Sequence, residues 1–493
     1  MLLLAQLQIP SDLNLLGLVP IIVLGLLMVV SLCLELRDEP GVEPEGTDLA
    51  RPAVLGLGAV TLIGLIAYYF KFNGDNAFYH FNQMLVFDRL TQVSGLLIAV
   101  CALLAILAGP DELERHRNTR GGEFCALIFS ASLGMVMMAS AASTMVMFLG
   151  LELFSIALYL LCIFFPDSSA SRESGMKYFL LSSAASAVLL YGFALLYGAT
   201  GSTWLVEMSD SGGLGGPLAV VGTGLVLCGL LFKLASVPFH FWAPDVYQGA
   251  PTTVTAYMSV ATKVAALAAL WRMVEYLGAG IAGQLAHLIL FSLAILSMLV
   301  GNFLALSQKD LKRMLAYSGV ANGGYLLIAP IIYQDMQRPM LFFMASYLLG
   351  NIGAFLAVAQ IEALQSGPAE RSSVVGLFHR QPWVAACFAI CLVSLAGLPP
   401  MAGFMGKFLL FGKAIQAGNL ILPVFGIVGS LIGAVYYLGT AISLFSGSAE
   451  EPFEGDEPRA EDAPTSTSHA ALAICCLGVL VLGVVPGSFL SWL

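Results

Sequence analysis

The chain has 493 residues, 58% of them hydrophobic and only 11% charged, where a soluble domain carries about 25% charged residues. Together with a mean hydropathy of +0.88, this excludes a soluble globular protein. The net charge of -10 points to no anionic partner, because most of the acids fall in two short polar segments, 37–51 and 446–469, and no basic tract interleaved with aromatics suggests nucleic acid.

A bilayer core takes about 20 apolar residues per helix. The first such run, Leu13 to Leu34, has no basic segment before it and exceeds a signal-peptide core, so it reads as a retained span. Further runs follow at Ala53 to Phe70, Leu90 to Gly109, Phe124 to Ala141, Ser143 to Phe165, Met176 to Thr200 and Pro217 to His240. The rest are Pro251 to Leu277, Gln284 to Leu306, Leu311 to Tyr333, Met340 to Ile361, Pro382 to Gln416 (broken), Leu420 to Phe445 and Ala470 to Leu490. The expected fold is therefore an all-α polytopic membrane protein of about 14 transmembrane helices. Ser446 to His469, rich in Glu, Asp, Pro, Ser and Thr, reads as a flexible acidic loop.

Lys and Arg concentrate in the odd-numbered loops and their flanks: Arg37, Arg51, Arg115, Arg117, Arg120, Arg172, Lys309, Lys312, Arg313, Arg371, Arg380 and Arg459. The even loops hold only Lys71, Arg89, Arg272, Arg338 and Lys413. By the positive-inside rule the odd loops are cytoplasmic and both termini face outward. The nine cysteines lie in apolar runs without CxxC pairs or zinc and iron–sulfur spacings, and read as buried soft hydrophobes. No GxGxxG follows a strand and no Walker loop is present, so nucleotide and electron chemistry are expected elsewhere.

Two helices are interrupted. In KLASVPFHFWAPDVYQGAPTTVTAYMSVATK, from Lys233 to Lys263, Pro238, Pro244 and Pro251 break an apolar stretch that also holds His240 and Asp245. In CLVSLAGLPPMAGFMGKF, Pro399 and Pro400 interrupt the twelfth run and Lys407 follows. Backbone freed by such breaks survives in a membrane only within protein or around a hydrated cavity. The broken helices are five spans apart, an odd offset that reverses direction, and paired interruptions of this kind point to inverted repeats around a mid-membrane site. The expected organisation is an N-terminal three-helix segment (1–122), a five-helix repeat (123–277), a second inverted five-helix repeat (284–445), the acidic loop (446–469) and a last helix (470–493), with one broken helix per repeat.

Ionisable residues inside the membrane are costly and by default functional. Glu152 sits about nine residues into its run, roughly 14 Å deep, and needs a cation, for which Lys177 is the natural candidate. A purely structural ion pair and a snorkelling Lys177 are the competing readings. Lys233 lies just over one turn before Pro238, where freed carbonyl oxygens would surround its ammonium. Lys263, about twelve residues after Pro251, is some 18 Å along its helix and near mid-membrane. A lysine so placed can have its charge switched by moving a neighbouring charge, which is what a proton relay requires. Lys407 follows a double-proline break among apolar residues, whereas Lys413 reads as an interfacial anchor. His240 titrates in the right range, with a locally satisfied bystander as the competing reading.

These segments, with Lys177 to Ser202 and QKDLKRMLAYSGVANGGYLL (Gln308 to Leu327), resemble the antiporter-like membrane subunits of respiratory complex I over nearly the whole chain. The resemblance implies a proton-translocating membrane subunit of NADH-quinone oxidoreductase. Glu152 and Lys177 would form a charge pair, Lys233 its inner neighbour, Lys263 the central relay lysine and Lys407 the outlet. A lysine at that last place matches two of the three antiporter-like chains, and the long C-terminal lateral helix of the largest is lacking. Where many relatives carry histidine this chain has Asn322, which does not titrate, so water or Tyr325 would have to bridge. The resemblance further implies no cofactor bound by this chain; NADH, FMN, iron–sulfur clusters and quinone would belong to partner subunits of the membrane-embedded complex, in a bacterial cytoplasmic membrane with both termini in the periplasm. A cation/proton antiporter subunit and a structural membrane spacer are the alternatives.

Overall fold

The computed structural model describes residues 15–35, 50–72, 77–116, 120–278, 280–365, 367–447 and 465–493. Most of the acidic loop (448–464), together with Arg37, Arg117 and Arg459, lies outside the described residues. The helices in chain order are α1 (Val19–Glu35), α2 (Ala50–Lys71), α3 (Arg89–Arg115), α4 (Gly121–Ala139), α5 (Thr144–Cys162), α6 (Ser169–Thr200), α7 (Leu205–Asp210), α8 (Pro217–Lys233), α9 (Trp242–Gly249) and α10 (Thr252–Leu277). They continue with α11 (Ile281–Leu306), α12 (Leu311–Leu326), α13 (Ile328–Ile332), α14 (Gln337–Gln365), α15 (Leu377–Arg380), α16 (Pro382–Ala396), α17 (Ala402–Gln416), α18 (Ile421–Ser443), α19 (Ser466–Val484) and α20 (Pro486–Trp492). Among the described residues, 11 helices are long and apolar enough to cross a membrane, and α1, α8 and α16 are shorter apolar helices.

Two departures from the sequence reading matter. Between α2 and α3 the chain forms an antiparallel hairpin, β1 (Phe78–His80) with β2 (Leu85–Phe87), Phe78 opposite Phe87. Its turn passes through Phe81, Asn82 and Gln83, all at positive φ. In addition, α3 does not stop at Gly109: it runs through Pro110 to Arg115, which carries Glu112 to the far end of the bundle.

Packing centres on α10 and α14, whose hydrophobic windows are 100% and 94% buried. α4 packs on α5 and α10, and α6 on both α8 and α9; α11 packs on α12 and α18, and α14 on both α16 and α17. Where α4 crosses α5 the backbones touch. A methyl group on Gly134 would lie 2.6 Å from Phe154 N and 2.7 Å from Gly150 O, and one on Gly150 would lie 2.7 Å from Gly134 O and from Met138 N. Small residues permit this approach between membrane helices. Because backbone atoms cannot give way as side chains do, Gly150→Leu is expected to exceed the usual overpacking cost of about 1–3 kcal/mol. Size-exclusion chromatography of the detergent-extracted complex should then show the variant chain missing from the assembled peak.

Candidate functional site

Both predicted breaks are real. α8 ends at Lys233 and the chain runs irregularly to α9; α16 ends at Ala396 and α17 starts at Ala402. Ala235 and Gly397, at the same distance before Pro238 and Pro400, both take left-handed φ angles of 53° and 84°.

Three ammonium groups are buried at or near these breaks, with Lys233 and Lys263 each 2% exposed and Lys407 7%. The Lys233 ammonium donates to Ser155 Oγ at 2.8 Å and to Ser182 Oγ, and lies over the rings of Phe154 (5.3 Å), Tyr159 (6.0 Å) and Tyr178 (5.5 Å). The expectation that freed carbonyls hold it is corrected: the ammonium turns away from the break toward α5 and α6. Phe232 O instead accepts from Trp242 Nε1 at 3.0 Å. Lys407 is the lysine that does take freed carbonyls, donating to Leu395 O (3.1 Å) and Ala396 O (3.4 Å) at the end of α16, 5.0 Å over the Tyr325 ring.

Lys263 occupies the middle of α10. Its ammonium donates to Ser259 O at 3.1 Å and sits 5.8 Å from the Tyr247 ring. α12 approaches through Gly319, where a methyl group would stand 3.3 Å from Lys263 Nζ and 3.2 Å from the Tyr347 hydroxyl. Thus all three ammoniums hydrogen-bond only to neutral oxygens.

Side chains link these positions. From Lys233, Tyr178 stacks on Trp242 at 4.8 Å, and Trp242 meets Tyr247 edge-on at 5.8 Å. Toward Lys407, Tyr436 donates to Asn302 Oδ1 at 3.0 Å, and Asn302 Nδ2 donates to Tyr325 OH at 3.1 Å. Asn322 spends its amide on Ser318 O of its own helix, at 2.9 Å. Glu152 Oε1, Tyr159 OH, Tyr178 OH, Ser318 Oγ, Tyr347 OH and Asn351 Oδ1 are buried without a protein hydrogen-bond partner.

The proposed Glu152 and Lys177 pairing is not formed. α6 begins at Ser169, so Lys177 lies more than two turns into it, half-exposed, and pairs with Glu173 (2.7 Å) and Asp245 (3.4 Å). Asp245 is shared with Arg313 at 2.6 Å. Glu152 lies instead within electrostatic reach of Lys233. His240, half-buried, faces Tyr317 with ring centroids 6.3 Å apart rather than a lysine.

Arg272 was counted among loop charges, yet it is 3% exposed. It donates to Asp88 at 2.9 and 3.1 Å, to Thr91 Oγ1 and to Ala139 O. Burial alone would raise the Asp88 carboxyl, but the Arg272 charge and hydrogen bonds, with those of Thr91, outweigh it and hold Asp88 below the ordinary carboxylate range. Among the described residues no cluster of three or more His, Cys, Asp or Glu could hold a metal. Cys33 is exposed, Cys228 intermediate and the other seven cysteines buried.

The family described as "NADH:quinone oxidoreductase/Mrp antiporter, TM" matches residues 141–433. "NADH-quinone oxidoreductase subunit N 1" of Symbiobacterium thermophilum is 40% identical, over 97% of each chain. A chain of respiratory complex I from Thermus thermophilus with bound aureothin is 34% identical with a TM-score of 0.77, over 96% of this chain and 98% of that one. A chain of the membrane-bound sulfane sulfur reductase, an archaeal respiratory membrane complex, shares the fold at a TM-score of 0.79 and 22% identity, over 97% of this chain and 95% of that one. Eleven helices among the described residues long and apolar enough to cross a membrane, buried lysines at two helix breaks and identity over 97% of the chain agree, and the chain belongs to the NADH-quinone oxidoreductase subunit N family, the antiporter-like, multi-pass membrane subunits of a proton-translocating translocase.

Proposed function

We propose that Lys233, Lys263 and Lys407 form a mid-membrane proton relay, loaded and emptied by the Glu152 charge and coupled to quinone reduction in partner subunits of respiratory complex I. The observation that carries this reading is that the hydrogen-bond partners of all three buried ammoniums are neutral, no carboxylate among the described residues being bonded directly to any of them. A lysine compensated by a fixed carboxylate keeps its proton, whereas one held by hydroxyls, carbonyls and rings responds to a charge moving nearby. Lys177, exposed on the α6 surface, communicates with the relay through whatever subunit packs there, and His240 is a peripheral member. The orphan hydroxyls and amide oxygens along the row take water as their hydrogen-bond partners, since dry they would each cost about 1–3 kcal/mol.

In this reading the 11 long helices and three shorter apolar ones form 14 spans. Inverted repeats (123–277 and 284–445) are supported by the recurrence of packing, α4 to α10 being matched by α11 to α18. The remaining units are 1–122, 446–469 and 470–493. Flavin, iron–sulfur clusters, NADH and quinone bind partner chains. The odd loops face the cytoplasm of a bacterial inner membrane and both termini the periplasm.

The test is the intact enzyme in proteoliposomes, with Lys407→Ala and Lys407→Arg in this chain. Protons taken up per NADH oxidised should fall in both, because neither side chain releases a proton near neutral pH, and sodium should make no difference. A wild-type yield in both variants would overturn the relay, and a sodium requirement would favour a cation/proton antiporter.

A further inference from the structure

Protons that move along the buried lysines must enter the bundle from an aqueous phase. A cavity of about 410 Å³ opens at the end of the bundle where α10 begins, lined by Glu112, Thr252, Lys312 and Glu362 among others. Both oxygens of Glu112 are engaged there, accepting from the backbone N–H groups of Thr252 (2.7 Å) and Thr253 (2.8 Å) as a carboxylate cap on a helix N-terminus. Lys312, 6% exposed, donates to Ala250 O and Thr252 Oγ1, both at 2.9 Å. Glu362 accepts from Thr252 Oγ1 at 2.5 Å on one oxygen, while its other stands 4.0 Å from Lys312 Nζ. Of the two carboxylates facing the cavity, Glu362 is the one with an oxygen that accepts no hydrogen bond among the described residues.

Below Thr252, α10 presents hydroxyls at Thr255 and Ser259 and then Lys263. Spacings of three and four residues put all four side chains on one helix face. The distance from Thr252 to Lys263 along the helix is about 16 Å, in steps that single waters bridge. Asn351 joins the row by donating to Ser259 Oγ at 2.8 Å. It is 0% exposed, and its Oδ1, beside that hydroxyl, has no protein partner. Thr255 Oγ1 donates to Tyr247 O at 3.1 Å and Ser259 Oγ to Ala256 O at 3.0 Å, so each hydroxyl oxygen can accept a proton from one side and hands its own on by turning from its backbone acceptor.

We propose that this cavity is the proton-loading site of the chain, with Glu362 as the loading carboxylate and the Thr252, Thr255 and Ser259 face of α10 as the conductor to Lys263; the proposal rests on the relay reading. A proton from the aqueous phase adds to the Glu362 oxygen facing Lys312, neutralising the carboxylate. It then passes along the hydroxyl row to the Lys263 amine, which becomes an ammonium, and Glu362 returns to its anionic form beside Lys312. Lys312 is the positioning residue: its charge holds Glu362 ready, and its hydrogen bond to Thr252 Oγ1 fixes that hydroxyl as the first link.

The experiment uses the intact complex in proteoliposomes with Glu362→Gln, Glu362→Asp, Ser259→Ala and Ser259→Thr, and Lys263→Ala in parallel. Glu362→Gln keeps an acceptor for Thr252 but takes no proton. The initial proton uptake per NADH oxidised should fall in Glu362→Gln and Ser259→Ala to the level of Lys263→Ala, with recovery in Glu362→Asp and Ser259→Thr. A cluster that only ties helices together would show instead a loss of assembled complex with normal uptake per assembled enzyme. If Lys263→Ala lowers uptake while Glu362→Gln and Ser259→Ala pump normally, the loading site is overturned and the relay stands. Normal uptake in all three overturns the relay and the loading site with it. Should Glu362→Gln fail to assemble, Ser259→Ala decides the matter.

Discussion

Replacing Lys263 with alanine is expected to leave the complex assembled and to remove the share of its proton uptake that runs through this chain. The packing cost is modest, because the removed ammonium bonds only its own helix, at Ser259 O, and leaves no charged partner behind. The functional cost is large. At an effective dielectric of about 20, a unit charge brought to about 4 Å is worth about 4 kcal/mol, or roughly three pKa units. That suffices to load or empty a lysine, but alanine has nothing to load. Lys263→Arg makes the test sharper: arginine stays protonated at all accessible pH, so a structural cation would be restored while a proton carrier would not. A relay therefore predicts that arginine pumps as poorly as alanine, measured as vesicle proton uptake during NADH oxidation, whereas a structural spacer predicts rescue.

Asp88→Ala should instead damage assembly. It strands the Arg272 guanidinium, 3% exposed, without its carboxylate, and breaking such a pair costs about 3–5 kcal/mol. Asp88 is itself partly exposed, which places the cost near the lower end. Removing both charges, as in Asp88→Asn with Arg272→Met, should recover much of the loss. The wild-type pair also sets a pH dependence. Because the folded protein holds Asp88 below its ordinary range, the stabilisation is fully present above about pH 4 and is lost as pH falls through the lowered folded value. Thermal unfolding in detergent should show the Tm of wild type falling in that acid window and the double variant's falling less.

The spans, the two breaks and the buried lysines were legible in the sequence because each rests on a local signal: apolar length, proline in an apolar run, a charge within it. What could not be read was which way a side chain turns, since that depends on helix rotation against neighbours distant in sequence. Lys177 went to Glu173 and Asp245 rather than to Glu152 because α6 starts earlier than its hydropathy suggests. Arg272 looked like a loop charge and proved buried because its partner, Asp88, lies 184 residues away. Glu112 lies beyond the apolar run that ends at Gly109, although α3 continues through Pro110 to Arg115. The hydroxyl row of α10 did carry a signal, the spacing of Thr252, Thr255, Ser259 and Lys263, but it gains meaning only beside Glu362 and Asn351 on α14.

α3 binds α10 at both ends, through Asp88 to Arg272 near the α10 C-terminus and through Glu112 to the amides at its N-terminus. The helix carrying Lys263 is thus tied to α3 at both of its ends.

The protons translocated per NADH oxidised, measured on the intact enzyme in vesicles with Lys233→Ala, Lys263→Ala and Lys407→Ala taken one at a time, test the relay most directly. Three lysines acting in series predict the same reduced ratio for each single variant, with no further loss on combining them. A wild-type ratio in any one of the three, with the complex assembled and oxidising NADH, would contradict a relay that runs through them all.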